Sequence, residues 1–295
     1  MWRARRYGLL LVALYACAVA RVRAADSPSL ERALPPARAA HAGVDAMLTT
    51  SPSGPTVSSM GGALRLAGDY RFPNGLGVSL EGGIASVSLD VERQPTRSGI
   101  FPGNLLLGVS FERRLRPQLE LGANVRVGVP FALYPGGIDD NRLADLAYSM
   151  AASAQGFREP LIWQMNVVPV TLGAQATLQA LDWLTLTGQL APSYLISVNQ
   201  RPSRVAVTSH VDAAATLQAL VVHVGVTHFV SALALENRHL DQLALRCGAG
   251  AVVNGQRWML ELSIGLDAPY GAFENAPHPW WGVGIVTDIQ FGAEG

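Results

Sequence analysis

The chain has 295 residues, of which 49% are apolar and only 15% charged, with 30 glycines and a formal net charge of zero. Ordinary soluble domains carry about 25% charged residues, so the deficit points to a surface that meets something other than water. All 22 basic residues are arginines scattered along a chain of pI about 7.0, which argues against a nucleic-acid binder, since that needs a basic patch.

The first 24 residues, MWRARRYGLLLVALYACAVARVRA, join a basic start to an apolar run from Tyr7 to Ala20 and then small residues. They predict a cleaved secretory signal peptide, followed by a short periplasmic segment over 25–40. A lipoprotein signal around Cys17 is the rival, but Tyr15 fits that box poorly and apolar residues continue past the cysteine. Cleavage after Ala24 removes five of the 22 arginines and leaves 17 against 22 acids, about −5, with Cys247 as the sole cysteine. An internal disulfide is then impossible. No later run reaches 18 apolar residues, so helical membrane spans are not expected.

From residue 41 onward, apolar and polar residues alternate in twelve segments: 41–50, 61–72, 76–90, 104–113, 118–131, 164–179, 183–196, 205–217, 220–230, 241–252, 257–268 and 280–291. The stretch LELGANVRVGVPF (119–131) is the clearest: Leu119, Leu121, Ala123, Val125, Val127, Val129 and Phe131 fall on one face, and Glu120, Asn124 and Arg126 on the other. Strands place alternate side chains on opposite faces. One such strand fits either a soluble sheet or a membrane barrel, but lengths near 10 to 15 residues exceed the soluble average of about 5–6 and match the roughly 9–11 of a tilted membrane strand. Short connections such as Pro73–Asn74–Gly75 alternate with long ones, the longest over 132–163, which predicts short periplasmic turns and long external loops with both termini in the periplasm. ATLQALDWLTLTG (176–188) and ATLQALVVHVGVT (215–227) are two similar hairpins. The 18 aromatic residues after residue 24 gather at segment ends and in loops, as two interfacial girdles would require.

The signal peptide, twelve alternating segments, girdles and a last strand ending WWGVGIVTDIQF together resemble bacterial outer-membrane β-barrel proteins of the porin-like kind. The resemblance covers 41–291 and is one of architecture, with GAEG following Phe291 where such proteins usually end on an aromatic. It implies an all-β, antiparallel, up-and-down transmembrane barrel of about 12 strands in the outer membrane, with outer-membrane lipid, small solutes and the barrel-assembly machinery as partners. No cofactor and no metal are expected.

Alternation predicts that Arg65, Asp69, Arg71, Glu81, Glu112, Glu120, Arg126, His210, Asp212, His223, Arg246, Glu261, Asp267 and Asp288 point inward. Such a set either forms a packed ion-pair network or lines a solute path, and its excess of acids tilts a path towards cations or neutral solutes. Within the 132–163 loop, Asp139, Asp140 and Asn141 suggest the start of a short helix, and Asp139, Asp140, Arg142 and Asp145 are the candidate constriction residues. The helix either folds into the mouth or packs on the rim. The function expected is a passive channel for small solutes; a non-transporting, partner-binding barrel is the alternative. A lipid-modifying enzyme is a second alternative, disfavoured because Ser209 and His210 are adjacent and face opposite sides. His210 and His223 with one carboxylate specify no third metal ligand. Cys247 falls on the lipid face and reads as a small hydrophobe.

Overall fold

A computed structural model describes residues 39–52, 57–155, 158–199, 202–232, 239–253, 256–267 and 280–292. The expected signal peptide, and nearly all of the 25–40 segment, lie outside the described residues.

The strands are β1 (Ala39–Pro52), β2 (Val57–Arg71), β3 (Leu76–Val91), β4 (Arg97–Pro102), β5 (Leu105–Arg116), β6 (Leu119–Val129), β7 (Val167–Leu181), β8 (Leu184–Ser197), β9 (Arg204–Leu217), β10 (Leu220–Ala232), β11 (His239–Val253), β12 (Gln256–Asp267) and β13 (Trp280–Gly292). Every pairing is antiparallel, each stave joins its sequence neighbour, and β1 pairs with β13, so the sheet closes on itself. β4 and β5 lie end to end along β3: β4 pairs with its Ile84–Leu89 half and β5 with its Leu76–Glu81 half. They make one broken stave, and the barrel has twelve. Closure leaves no unpaired edge, which is the only way a sheet can sit in hydrocarbon. β1 forms despite its many alanines and glycine because β2 and β13 satisfy its backbone on both sides.

The alternation sorts side chains as expected. Leu121, Val125, Val127 and Val129 of β6 are exposed on the outer wall, while Arg126 is buried inside. The same outward band continues through Leu64, Leu66, Val78, Leu80, Leu107, Val109, Leu190, Val224, Leu245, Leu260 and Ile285, a surface suited to acyl chains. Tyr70, Phe72, Phe111, Trp183 and Trp258 are exposed near the short-turn end and Tyr194 near the long-loop end. Among the described residues three rings depart from the girdle expectation: Tyr148, Trp163 and Phe229 are buried inside the barrel. At the predicted tight turn the Phe72 amide donates to the Leu76 carbonyl at 2.7 Å, and Gly75 has φ +85° against the Glu112 carbonyl, a backbone state that costs glycine little.

The long connection between β6 and β7 carries one helix, α1 (Ile138–Ala154), and a 3-10 turn (Pro160–Trp163). α1 is longer than the short helix expected. Its N-cap is Gly137, with no side-chain cap, and Asp139 and Asp140 occupy the first turn instead, where carboxylates complement the helix dipole. It packs against β1, β2, β3, β4, β12 and β13. Met150 sits where a Cβ on the inward-facing Gly61 would come within 2.8 Å, and Ser263 of β12 donates to the Ala154 carbonyl at 2.6 Å. The helix therefore lies inside the barrel and not on its rim.

Candidate functional site

Eleven of the residues expected to face inward do so and are partly or wholly covered: Arg65, Arg71, Glu81, Glu112, Glu120, Arg126, His210, Asp212, His223, Arg246 and Glu261. Arg71 joins Glu112 and Glu120 at the short-turn mouth, the latter at 3.2 Å. Asp69 is exposed near the same mouth. The side chains of Asp267 and Asp288 lie outside the described residues.

The others assemble into one chain of ion pairs spanning the interior. On one side Arg65 donates to Asp45 at 2.7 Å and to Glu81 at 2.8 Å, and Arg126 approaches Glu81 at 3.5 Å. On the other, Arg246 donates to Asp212 at 3.1 Å, Asp212 pairs with His210, and His223 Nε2 lies 3.0 Å from Glu261. Gly225 and Gly248 make room for this second group, because a Cβ at either would collide with Asp212 or His223. Among the described residues the Nε and Nη1 of Arg246, a side chain with no exposure, have no hydrogen-bond partner.

The two groups are joined by residues of the loop. Arg158 donates to Glu261 at 2.7 Å and lies 3.6 Å from Asp45; its neighbour Glu159 accepts from Arg126 at 2.7 Å. Burial pushes the Glu159 carboxyl above the usual carboxylate range, with Arg126 opposing. Asp139, Asp140, Arg142 and Asp145 instead lie on the exposed side of α1: Asp139 pairs with Arg97 at 3.0 Å, and Asp145 accepts from the Tyr134 hydroxyl at 3.2 Å. The loop charges that meet the wall are thus Arg158 and Glu159, which, like Asp45, strand alternation and helix capping do not mark. The available signals were an adjacent opposite-charge pair in a long loop and a lone acid in a strand of small apolar residues.

The loop is clasped where the wall is broken. Asn104, fully buried between β4 and β5, donates its side-chain amide to the Leu161 and Gln164 carbonyls at 3.0 and 2.7 Å and accepts from the Ala132 amide at 3.0 Å. Its own amide donates to the Ile162 carbonyl at 2.7 Å. Tyr148 donates to the Pro102 carbonyl at 2.7 Å, and burial pushes its hydroxyl up to about 12. The Trp163 ring lies over Gly83 and Gly103, and its indole donates to Gln155 at 3.1 Å.

On the outer wall, Ser209 has no histidine partner within β9, but the register sets it opposite His228 of β10. Its hydroxyl donates to the His228 backbone carbonyl at 3.5 Å. Cys247 is exposed on the outer face. No cluster of three or more metal-ligating side chains exists among the described residues.

No family model and no curated protein matches the sequence. Among solved structures, an outer membrane channel from Pseudomonas putida F1 superposes with a TM-score of 0.56 at 16% identity, covering 91% of this chain and 100% of that one. The translocator domain of the autotransporter NalP from Neisseria meningitidis gives 0.49 at 11% identity, covering 98% and 97%. The NanC porin gives 0.46 at 7%, covering 85% and 98%. At these identities the likeness is one of fold.

Proposed function

We propose that the chain is an outer-membrane barrel acting as a passive channel for small solutes, with its path closed in this conformation by the Arg158–Glu159 arm of the β6–β7 loop. The observation that carries the reading is the arm's position: two adjacent loop residues bond to charges on opposite parts of the interior wall. A barrel with a purely structural interior could complete its pairs with wall residues alone. The apolar outer band and the fold shared with the P. putida channel support the membrane setting. The short-turn end is then periplasmic and the loop-bearing end external, and assembly machinery inserts the chain after export by its signal peptide. The test is single-channel conductance in a planar bilayer, for the refolded protein and for a variant with 138–159 replaced by a short Gly–Ser linker. The closed form is expected to conduct little and the variant steadily. Silence from both, with the barrel folded, would return the interior to a structural role and make the partner-binding barrel the leading reading.

The lipid-modifying alternative draws on the outward Ser209–His228 pair. The serine hydroxyl donates to a backbone carbonyl, whereas a serine nucleophile needs a base to take its proton. The wild type should therefore release no fatty acid from phospholipid vesicles above the level of Ser209→Ala. Serine-dependent release would instate the hydrolase.

A further inference from the structure

The two ends of the Arg158–Glu159 arm meet unlike surroundings. Arg158 enters an acidic pole made by Glu261 and Asp45. Glu159 enters a basic pole at Arg126, whose Nε has no hydrogen-bond partner among the described residues. Withdrawing the arm leaves most of the wall paired: Arg65 keeps Asp45 and Glu81, and Asp212 keeps Arg246 and His210. What disappears is one cation beside Glu261 and one anion beside Arg126. The missing charges are carried by the side chains of neighbouring residues that reach β12 and β6, on opposite sides of the barrel, so the vacated place has the scale of a dipeptide with both of its side chains extended.

We propose that the barrel interior recognises short zwitterionic peptides, carrying a cationic side chain and a carboxylate side chain on neighbouring residues, and that Arg158–Glu159 occupies this site as an internal stand-in. The proposal rests on the reading of the arm as the closure of a solute path. Net charge does not select such a solute. With the arm gone, the wall offers Asp45, Glu81, Asp212 and Glu261 against Arg65, Arg126 and Arg246, four acids to three arginines, with His210 and His223 beside the acids. Placement selects it. A lone cation beside Glu261 leaves Arg126 with only the longer Glu81 contact at 3.5 Å, and a lone anion beside Arg126 leaves Glu261 with His223 at 3.0 Å and Arg246 at 3.9 Å but without its 2.7 Å guanidinium; a buried charge that loses its close partner is disfavoured. A solute with both groups restores both close contacts.

The test is isothermal titration of the refolded protein in detergent with three probes: L-arginyl-L-glutamate, agmatine (cationic groups only) and glutarate (carboxylates only). The dipeptide is expected to bind at one saturable site, with the other two weaker by about tenfold or more. Removing the stand-in in R158A/E159A should tighten dipeptide binding about tenfold, since a site vacant a tenth of the time loses that factor in apparent affinity. R126Q and E261Q should each weaken it. The charge swap R158E/E159R, which keeps the arm's composition but opposes both poles, should also tighten binding, and it serves if the double alanine variant does not fold. Equal affinity for all three probes, or no tightening in either arm variant, overturns the proposal. The bilayer recordings separate the two readings. Dipeptide binding without conductance from any variant retires the channel and keeps the site; conductance without dipeptide binding or block retires the site and keeps the channel.

Discussion

Asn104 illustrates how much one buried side chain can hold. Its amide satisfies three backbone groups of the 132–166 connection at 2.7–3.0 Å, and leaving buried backbone acceptors or donors unmade costs about 1–3 kcal/mol each. Asn104→Ala should therefore release the loop without unfolding the barrel. Hydrogen exchange at 161–166 should accelerate at least tenfold while the strands stay protected, and closed-state conductance should rise. Glu159 gives a prediction of definite sign. Its carboxyl is raised in the docked arm relative to a solvated one, so docking takes up a proton and becomes more favourable as pH falls from the raised value towards the ordinary carboxylate range. Conductance should accordingly decrease on acidification through that window, and Glu159→Gln should flatten this component; a wild type and variant with the same pH profile would remove Glu159 from the response. Gly225 and Gly248, by contrast, are needed for space, and Gly225→Ala should destabilise the barrel by about 1–3 kcal/mol in urea unfolding, the range for overpacking.

At the level of elements, the strands could be read from sequence because their constraint is local. Twelve alternating segments anticipated twelve staves, including β1, whose glycine and alanine weaken its pattern. β4 is not legible in the sequence, since six residues that merely continue the β3 ladder past a Pro102–Gly103 interruption carry no periodicity of their own. Helix α1 was anticipated from its acidic start, but its length and interior seat depend on Gly61 and Ser263, residues remote in sequence that leave room for Met150 and bond the helix end. A bulky residue at that seat should expel the helix. Gly61→Val is expected to raise conductance as loop replacement does, with barrel stability lowered by at most about 3 kcal/mol; unchanged conductance would mean that α1 does not gate the path.

For the whole molecule, the deciding fact is that two solvents meet one sheet. Val125 is 48% exposed on the outer wall and Arg126 is 7% exposed within. An arginine at position 125 should cost about 2–4 kcal/mol near the bilayer midplane, measured by folding into lipid vesicles, whereas the native arginine one residue along is held by Glu159 and Glu81. This inside–outside assignment was available from the sequence, because a period of two fixes which residues share a face whatever the rest of the fold does. So were strand number, the turn at Gly75 and most of the inward charges. The sequence by itself could not pair those charges, since partners such as Arg158 and Glu261 lie 103 residues apart and meet only when the barrel closes and its longest loop turns inward. Nor could it show that Arg158 and Glu159, not the acids of α1, join the two sides of the interior. Alternation is a local property of the backbone; ion-pair choice is set by three-dimensional proximity, and only the tertiary structure supplies that.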